Sequence, residues 1–274
     1  MLKKAYLNTT MLIKGIKRTL RRIPVLKNIM TIIRKKEWVT TTSDHELKVY
    51  RPKLDLLKKH SIDISNKTIM DIGCGDNCLH AFEFLSSGAK EVILCEIWAK
   101  NYLTEEKIRA RLAHKGIECF ARFSKHLKVI DDSIENIKSI PDNSVDIIIS
   151  NSLLEHVYDL DRAFSEMHRV LNKNGYMFHA IDLRDHFFFS YPLNFLRYSP
   201  WWWKNFYTKP ETFTNRHRMP YYFYLANKYR FNIIHKYTES TELGTDRFGL
   251  HRDFKNYSED ENRAIYLEFI AKKL

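Results

Sequence analysis

Between residues 68 and 150 the chain alternates short apolar runs with polar or helix-forming stretches. Runs ending at Asp71, Leu94, Ile130 and Ser150 are each followed by acidic, glycine or asparagine residues. Continuous apolar runs bounded by turn formers predict strands buried on both faces of a parallel sheet. Leu160 to Leu171 repeats apolar residues at helical spacing, and Asn174-Gly175 is predicted to end that helix before a fifth strand, Tyr176 to Ile181. Phe231 to Tyr237 and Ala264 to Ala271 read as two further strands, and helical turns around Leu47 to His60 precede the first. Strands alternating with helices predict an α/β domain.

The richest stretch is the exit from the first strand, Asp71-Ile72-Gly73-Cys74-Gly75-Asp76-Asn77-Cys78, with helix formers from Leu79. A glycine lets the main chain turn sharply and approach a ligand closely. The helix that follows offers free N–H groups. This is a nucleotide-type binding loop. A dinucleotide fingerprint needs a third glycine three residues after the second. That position is Cys78, so the fingerprint fails. Glu96 closes the second run, where a carboxylate can accept both ribose hydroxyls. The third run ends in Asp131-Asp132-Ser133. The fourth leads into Asn151-Ser152-Leu153-Leu154-Glu155-His156-Val157.

An acidic residue before Gly-x-Gly resembles motif I of the class I, Rossmann-like S-adenosylmethionine (SAM) methyltransferases. Asn77 stands where that family often has another glycine, and asparagine tolerates the same left-handed geometry. The Leu154-Glu155-His156 segment resembles the signature of the small-molecule members. The resemblance covers roughly residues 45 to 185. It implies a seven-stranded, mostly parallel sheet with helices on both faces and an antiparallel edge near the end. It implies SAM as cofactor, held by Asp71, Gly73, Gly75, Glu96, Ile97, Asp132, Ser133 and Asn151, with Asp132 and Ser133 towards the adenine.

Length and composition agree: 274 residues, 44% of them apolar, suit one large domain with insertions. Four cysteines without C-x-x-C spacing predict neither a zinc cluster nor a disulfide framework. They point to a cytoplasmic protein. The charge is uneven. Residues 1–36 hold eleven Lys or Arg and no acid, so the remaining 34 basic and 33 acidic residues nearly cancel. Residues 1–40 therefore read as a basic amphipathic helical arm ahead of a catalytic domain at 41–274. Ile13, Ile16, Leu20 and Ile23 form one face, with Lys14, Lys17, Arg18, Arg21 and Arg22 opposite. Such an arm suits an anionic membrane surface, here the inner face of the membrane. Packing on the domain and RNA binding are the alternatives, the last less favoured. No apolar run reaches the length of a membrane span, and no signal-peptide core is present.

Between Phe187 and Phe231 lie 18 of the 37 aromatic residues, including Trp201-Trp202-Trp203. The resemblance places an insertion over the active site here, about 187–230. Its rings suit a sugar or an apolar acceptor. Three consecutive tryptophans cannot all face inward. The candidate bases follow strand five: His186 and Asp185 first, with Asp182 and His156 as rivals and His217 and His251 weaker. Arg184 could bind an anionic group of the acceptor. Adjacent Asp185 and His186 point apart on an extended chain, so they imply no dyad. No persuasive carboxylate set predicts a metal. The reading is methyl transfer to a hydroxyl of a small or lipid-linked acceptor. A looser resemblance to envelope-sugar methyltransferases points to a cell-surface glycan. An RNA methyltransferase and a non-enzymatic SAM-binding partner protein are the rival readings.

Overall fold

A computed structural model of the chain describes residues 53–76, 78–114, 119–187, 191–207, 213–242 and 249–274. The chain divides into two units, residues 1–57 and 58–274. Of the first, only 53–57 is described, within a helical stretch at 53–59 that falls inside the predicted helical turns. The basic arm, residues 1–40, lies outside the described residues.

The second unit is built on seven strands: β1 (Thr68–Ile72), β2 (Glu91–Cys95), β3 (Leu127–Ile130), β4 (Val145–Asn151), β5 (Leu171–Asp182), β6 (Phe231–Ser240) and β7 (Ala264–Lys273). Their order across the sheet is β3-β2-β1-β4-β5-β7-β6. β1 to β5 pair in parallel, and β7 runs antiparallel to both β5 and β6. Every residue of β1 is buried, Asp71 included, which explains the apolar Ile69, Met70 and Ile72. Ile72 lies opposite both Cys95 and Ser150, and Cys95 lies opposite Ile130. The carboxyl ends of four strands are therefore level, and the loops leaving them open along one edge, where such sheets bind ligands.

Among the helices are α1 (Leu79–Ser86), α2 (Glu105–His114), α3 (Leu160–Val170) and α4 (Met219–Lys228). The Asp159 side chain accepts the Arg162 N–H at 3.0 Å and starts α3, a cap that typically contributes about 1 kcal/mol. Leu160, Ala163, Phe164, Met167 and Val170 form its buried stripe. The chain then enters β5 at Leu171, earlier than Asn174-Gly175 suggested. The pairing with β4 shifts register between Val145 and Ile147. A Cβ on Gly175 would meet the carbonyls of Asn172 and Asp146 at 2.9 and 3.0 Å. Residues 172–175 stand opposite Asp146 alone, so Asn174-Gly175 closes a turn that interrupts the ladder, and continuous pairing resumes at Tyr176.

The aromatic stretch after β5 builds a satellite core of Leu193, Phe195, Leu196, Trp203 and Phe254, with Phe187 and Tyr207 packed against it. The Trp203 indole N–H donates to the Thr214 carbonyl at 3.0 Å, and the ring is 5% exposed. Trp201 and Trp202 are 64% and 43% exposed, so the three tryptophans do diverge. Arg218, wholly buried, fastens this stretch to the sheet. It donates to the carbonyls of Leu183 (3.0 Å), Asn262 (3.1 Å), Glu261 (3.2 Å) and Ala264. Burial pulls its pKa down to about 10, still charged at neutral pH.

Candidate functional site

The loop after β1 is shaped by two glycines at positive φ, +73° at Gly73 and +63° at Gly75. Their neighbourhoods differ. A Cβ on Gly73 would lie 2.6 Å from the Leu153 side chain, whereas a Cβ on Gly75 would meet nothing within 4 Å. Gly73 is thus required by packing, and Gly75 faces open space. Glu96 crosses from the end of β2. Its Oε2 accepts the Gly75 N–H at 2.9 Å and its Oε1 the Trp98 N–H at 3.4 Å. Burial raises the Glu96 pKa, opposed by the Gly75 and Trp98 N–H groups. Each carboxylate oxygen keeps acceptor capacity for a diol. Ile97 lies beside it, 51% exposed, and half-buried Asn151 closes the end of β4.

Three expected cofactor residues do other work. Asp71 is fully buried and pairs with the ring of His80 on α1, also fully buried, so it does not face the ligand edge. It braces the loop against the helix that follows. Asp132 accepts the Ser139 N–H at 2.7 Å through Oδ2, and its carbonyl accepts the Cys95 thiol at 3.4 Å. The Ser133 hydroxyl bonds Glu135 at 3.2 Å. Both side chains order the loop after β3.

Beyond β4 and β5 a second group converges. Asp182 ends β5, and its Oδ2 lies 3.5 Å from His186 Nε2. Burial opposes ionisation of Asp182, yet the Arg184 guanidinium and His186 together hold its carboxylate well below the usual range. Arg184 is bidentate on that carboxylate, at 2.8 and 2.6 Å, and so is committed to it and not to an acceptor anion. The His156 ring centroid is 5.1 Å from that of His186, and its Nδ1 lies 2.6 Å from the Phe213 carbonyl. A carbonyl only accepts, so Nδ1 carries the proton and Nε2 keeps its lone pair. Burial lowers the His156 pKa, which keeps the ring neutral. Glu155 is buried beside them, and burial pushes its carboxyl up to about 8.

Asp185, expected as a base, is corrected. It is wholly buried, with Oδ1 accepting the Phe187 N–H at 2.7 Å and Oδ2 accepting from Asn194 at 3.3 Å. It braces the start of the aromatic stretch. His217 stacks on Tyr221 at 3.9 Å, and burial lowers its pKa to about 4. His251 accepts the Asp253 N–H at 3.4 Å and caps a short turn. Cys74, Cys78 and Cys95 are buried, Cys119 is partly so, and none of the four forms a disulfide.

Several residues were not singled out from sequence. His80 sits in an ordinary helical run, with no local sign that Asp71 is its partner. Asn215 joins the two halves of the site, its amide donating to the Leu154 (2.7 Å) and Val157 (3.2 Å) carbonyls. Its own N–H donates to the Glu155 carbonyl at 2.7 Å. A polar Asn-Arg-His-Arg run inside an aromatic stretch was the available signal. Glu155, His156 and His186, in a chain for which no metal was expected, bring three potential ligand atoms within 4.8 Å of one another.

Residues 70–179 match the family model described as "Methyltransferase domain". No curated protein matches the chain. Solved structures resemble it in fold. A Galdieria sulphuraria protein assigned as a sarcosine dimethylglycine methyltransferase is 14% identical, with TM-score 0.55, over 83% of this chain and 86% of its own. The Burkholderia thailandensis 1,6-didemethyltoxoflavin-N1-methyltransferase, solved with S-adenosylhomocysteine and 1,6-didemethyltoxoflavin, is 15% identical, with TM-score 0.51, over 90% and 86%. A SAM-dependent methyltransferase from Mesorhizobium loti is 15% identical, with TM-score 0.50, over 80% and 96%. The fold is the Rossmann-like methyltransferase fold, its sheet mostly parallel with an antiparallel edge.

The buried Asp71–His80 pair predicts a stability effect. Removing one partner strands the other in the core, which typically costs about 3–5 kcal/mol. Asp71→Ala should lower unfolding stability by roughly 3 kcal/mol in urea titration, far more than Asp76→Ala, which removes only a half-exposed ion pair with Arg111 at 2.9 Å. Equal effects of the two substitutions would place Asp71 outside the brace.

Proposed function

We propose that this chain, which carries a methyltransferase domain over residues 70–179, transfers a methyl group from SAM to a hydroxyl of a small or lipid-linked acceptor. A sugar of a cell-surface glycan is the favoured acceptor class. The strand-end loop suits the cofactor: Gly75 has free space where a side chain would stand, and Glu96 has acceptor capacity for a ribose. Bound there, SAM supplies an activated methyl group, and alignment and proton removal fall to the protein.

The observation that carries the hydroxyl reading is the Asp182–His186 pair, 3.5 Å apart beyond β5. An amine acceptor needs only to be unprotonated, whereas a hydroxyl must lose its proton as it attacks, and a positioned imidazole serves that need. His186 is the residue on which deprotonation of the acceptor depends, and Asp182 orients it. Exposed rings of Trp201, Trp202 and Phe206 offer flat faces to a sugar or to lipid. Among the described residues no helix is long and apolar enough to cross a membrane. Membrane contact in this reading is peripheral, through the basic residues of 1–36.

Three measurements test this reading. Gly75→Val should abolish SAM binding in calorimetry, because the branched side chain enters the cofactor's space; unchanged affinity would remove the cofactor assignment. His186→Ala should lower turnover by roughly 10²–10⁴-fold while SAM affinity stays near wild type. Near-normal turnover on the true acceptor would shift the role to Asp182. Deleting residues 1–36 should release the protein from anionic vesicles with SAM affinity intact. Retained vesicle binding would move the membrane contact to Trp201, Trp202 and Phe206.

A further inference from the structure

The group beyond β4 and β5 contains a donor set that proton removal by one imidazole leaves unexplained. Glu155 is 1% exposed, and its Oε1 accepts the Asp182 N–H at 3.2 Å. Its Oε2 is buried without a hydrogen-bond partner. A buried carboxyl oxygen without a hydrogen-bond partner carries a desolvation cost that a ligand can offset. That oxygen belongs to a side chain whose ligand atom lies within 4.8 Å of one on His156 and one on His186. We propose that Glu155, His156 and His186 form a binding site for a divalent cation of the zinc, iron(II) or manganese class.

The chemistry of the donors selects that class. Two imidazoles with one carboxylate suit zinc and the mid-row transition ions, whereas calcium and magnesium take oxygen ligands. His156 is already prepared as a ligand. Its Nδ1–H is held by the Phe213 carbonyl, so Nε2 presents a lone pair with a fixed ring orientation. Asp182 stands beside the ring of His186, as carboxylates commonly stand behind ligating imidazoles. Metal–ligand bonds of about 2.0–2.2 Å need the ligand atoms closer than they now stand. Binding therefore draws Glu155 and His186 towards the His156 ring that Phe213 holds in place. Three protein ligands leave coordination positions open to an acceptor oxygen. A cation there lowers the pKa of a bound hydroxyl, which is what transfer to oxygen requires. In that case His186 assists deprotonation through the cation. This use rests on the reading under "Proposed function"; the binding site itself does not.

Zinc binding to the full-length protein tests the site directly. Protein stripped with chelator and dialysed against zinc alone, without SAM or acceptor, should retain one tightly bound equivalent by elemental analysis. Cobalt(II) in its place should give a visible absorption band that zinc displaces. Glu155→Gln should weaken zinc binding at least about 10-fold. His186→Asn, at a half-buried position, should do the same while its circular dichroism and thermal unfolding match wild type. Absence of stoichiometric zinc in the wild type would overturn the proposal, as would an affinity unchanged in folded His186→Asn. The two readings fail differently. A wrong acceptor assignment leaves the zinc titration intact with no turnover, and a wrong cation site leaves turnover indifferent to chelator and to added zinc.

Discussion

The chain has to turn directly after Ile72, underneath Leu153, and the rest of the site depends on that turn. Gly73 does so at φ +73°, in contact with a side chain that would collide with any Cβ there. Left-handed backbone costs other residues roughly 1–2 kcal/mol even without a clash. The turn directs the Gly75 N–H to Glu96 and holds the loop close to the end of β2, where the Gly73 N–H donates to the Cys95 carbonyl at 2.8 Å. Leu153 belongs to the loop after β4, which turns through Ser152 at φ +50° with its N–H on the Ala180 carbonyl at 2.8 Å. One close contact therefore ties the loop after β1 to the loop after β4.

The group beyond β4 and β5 is assembled from segments distant in sequence. Residues 213–218 run back across the turn after β4, and Asn215 satisfies carbonyls that the short helix at Leu154–His156 leaves open. Phe213 fixes the His156 ring from the same segment, and Arg218 ties it to the start of β7. Trp203 packs beneath, its indole bonded to Thr214. The many aromatic residues thus divide by duty: some support this strap from below, and Trp201, Trp202 and Phe206 face outward.

How legible this was from sequence followed from where the determining contacts lie. β1, β2 and β4 are buried along nearly their whole length, so their apolar runs were visible and their ends fell within a residue of expectation. Continuous pairing of β5 starts at Tyr176 as expected, but the earlier residues were missed because only the partner strand shows that Leu171 already pairs with Val145. Gly73, Gly75 and Glu96 stood out because a sharp backbone turn and a carboxylate at a strand end leave local marks, and the structure brings Gly75 and Glu96 together. Asp71 and Asp185 were misread for one reason: acids near a ligand loop look functional until a buried partner, His80 or Asn194, is seen. The Asp182–His186 pair escaped because an extended chain does not bring those positions together. The turn after β5 does.

Charge balance beyond β5 carries the argument one step further. Two carboxyl groups meet there, and their environments push them apart. Asp182 is held ionised, its charge matched by the bidentate guanidinium of Arg184. Glu155, raised to about 8 by burial, has no comparable partner, and its nearest neighbours on the open side are imidazoles. A chain meant only to keep this pocket apolar would place a Leu or Gln there at less desolvation cost. Retaining a carboxyl next to two nitrogen donors makes sense when something positively charged arrives to satisfy it. The basic partner already present is spent on Asp182, so a positive charge for an ionised Glu155 has to come from outside the chain. In the proposed reading, a cation bound between Glu155, His156 and His186 supplies it where an acceptor hydroxyl would lose its proton.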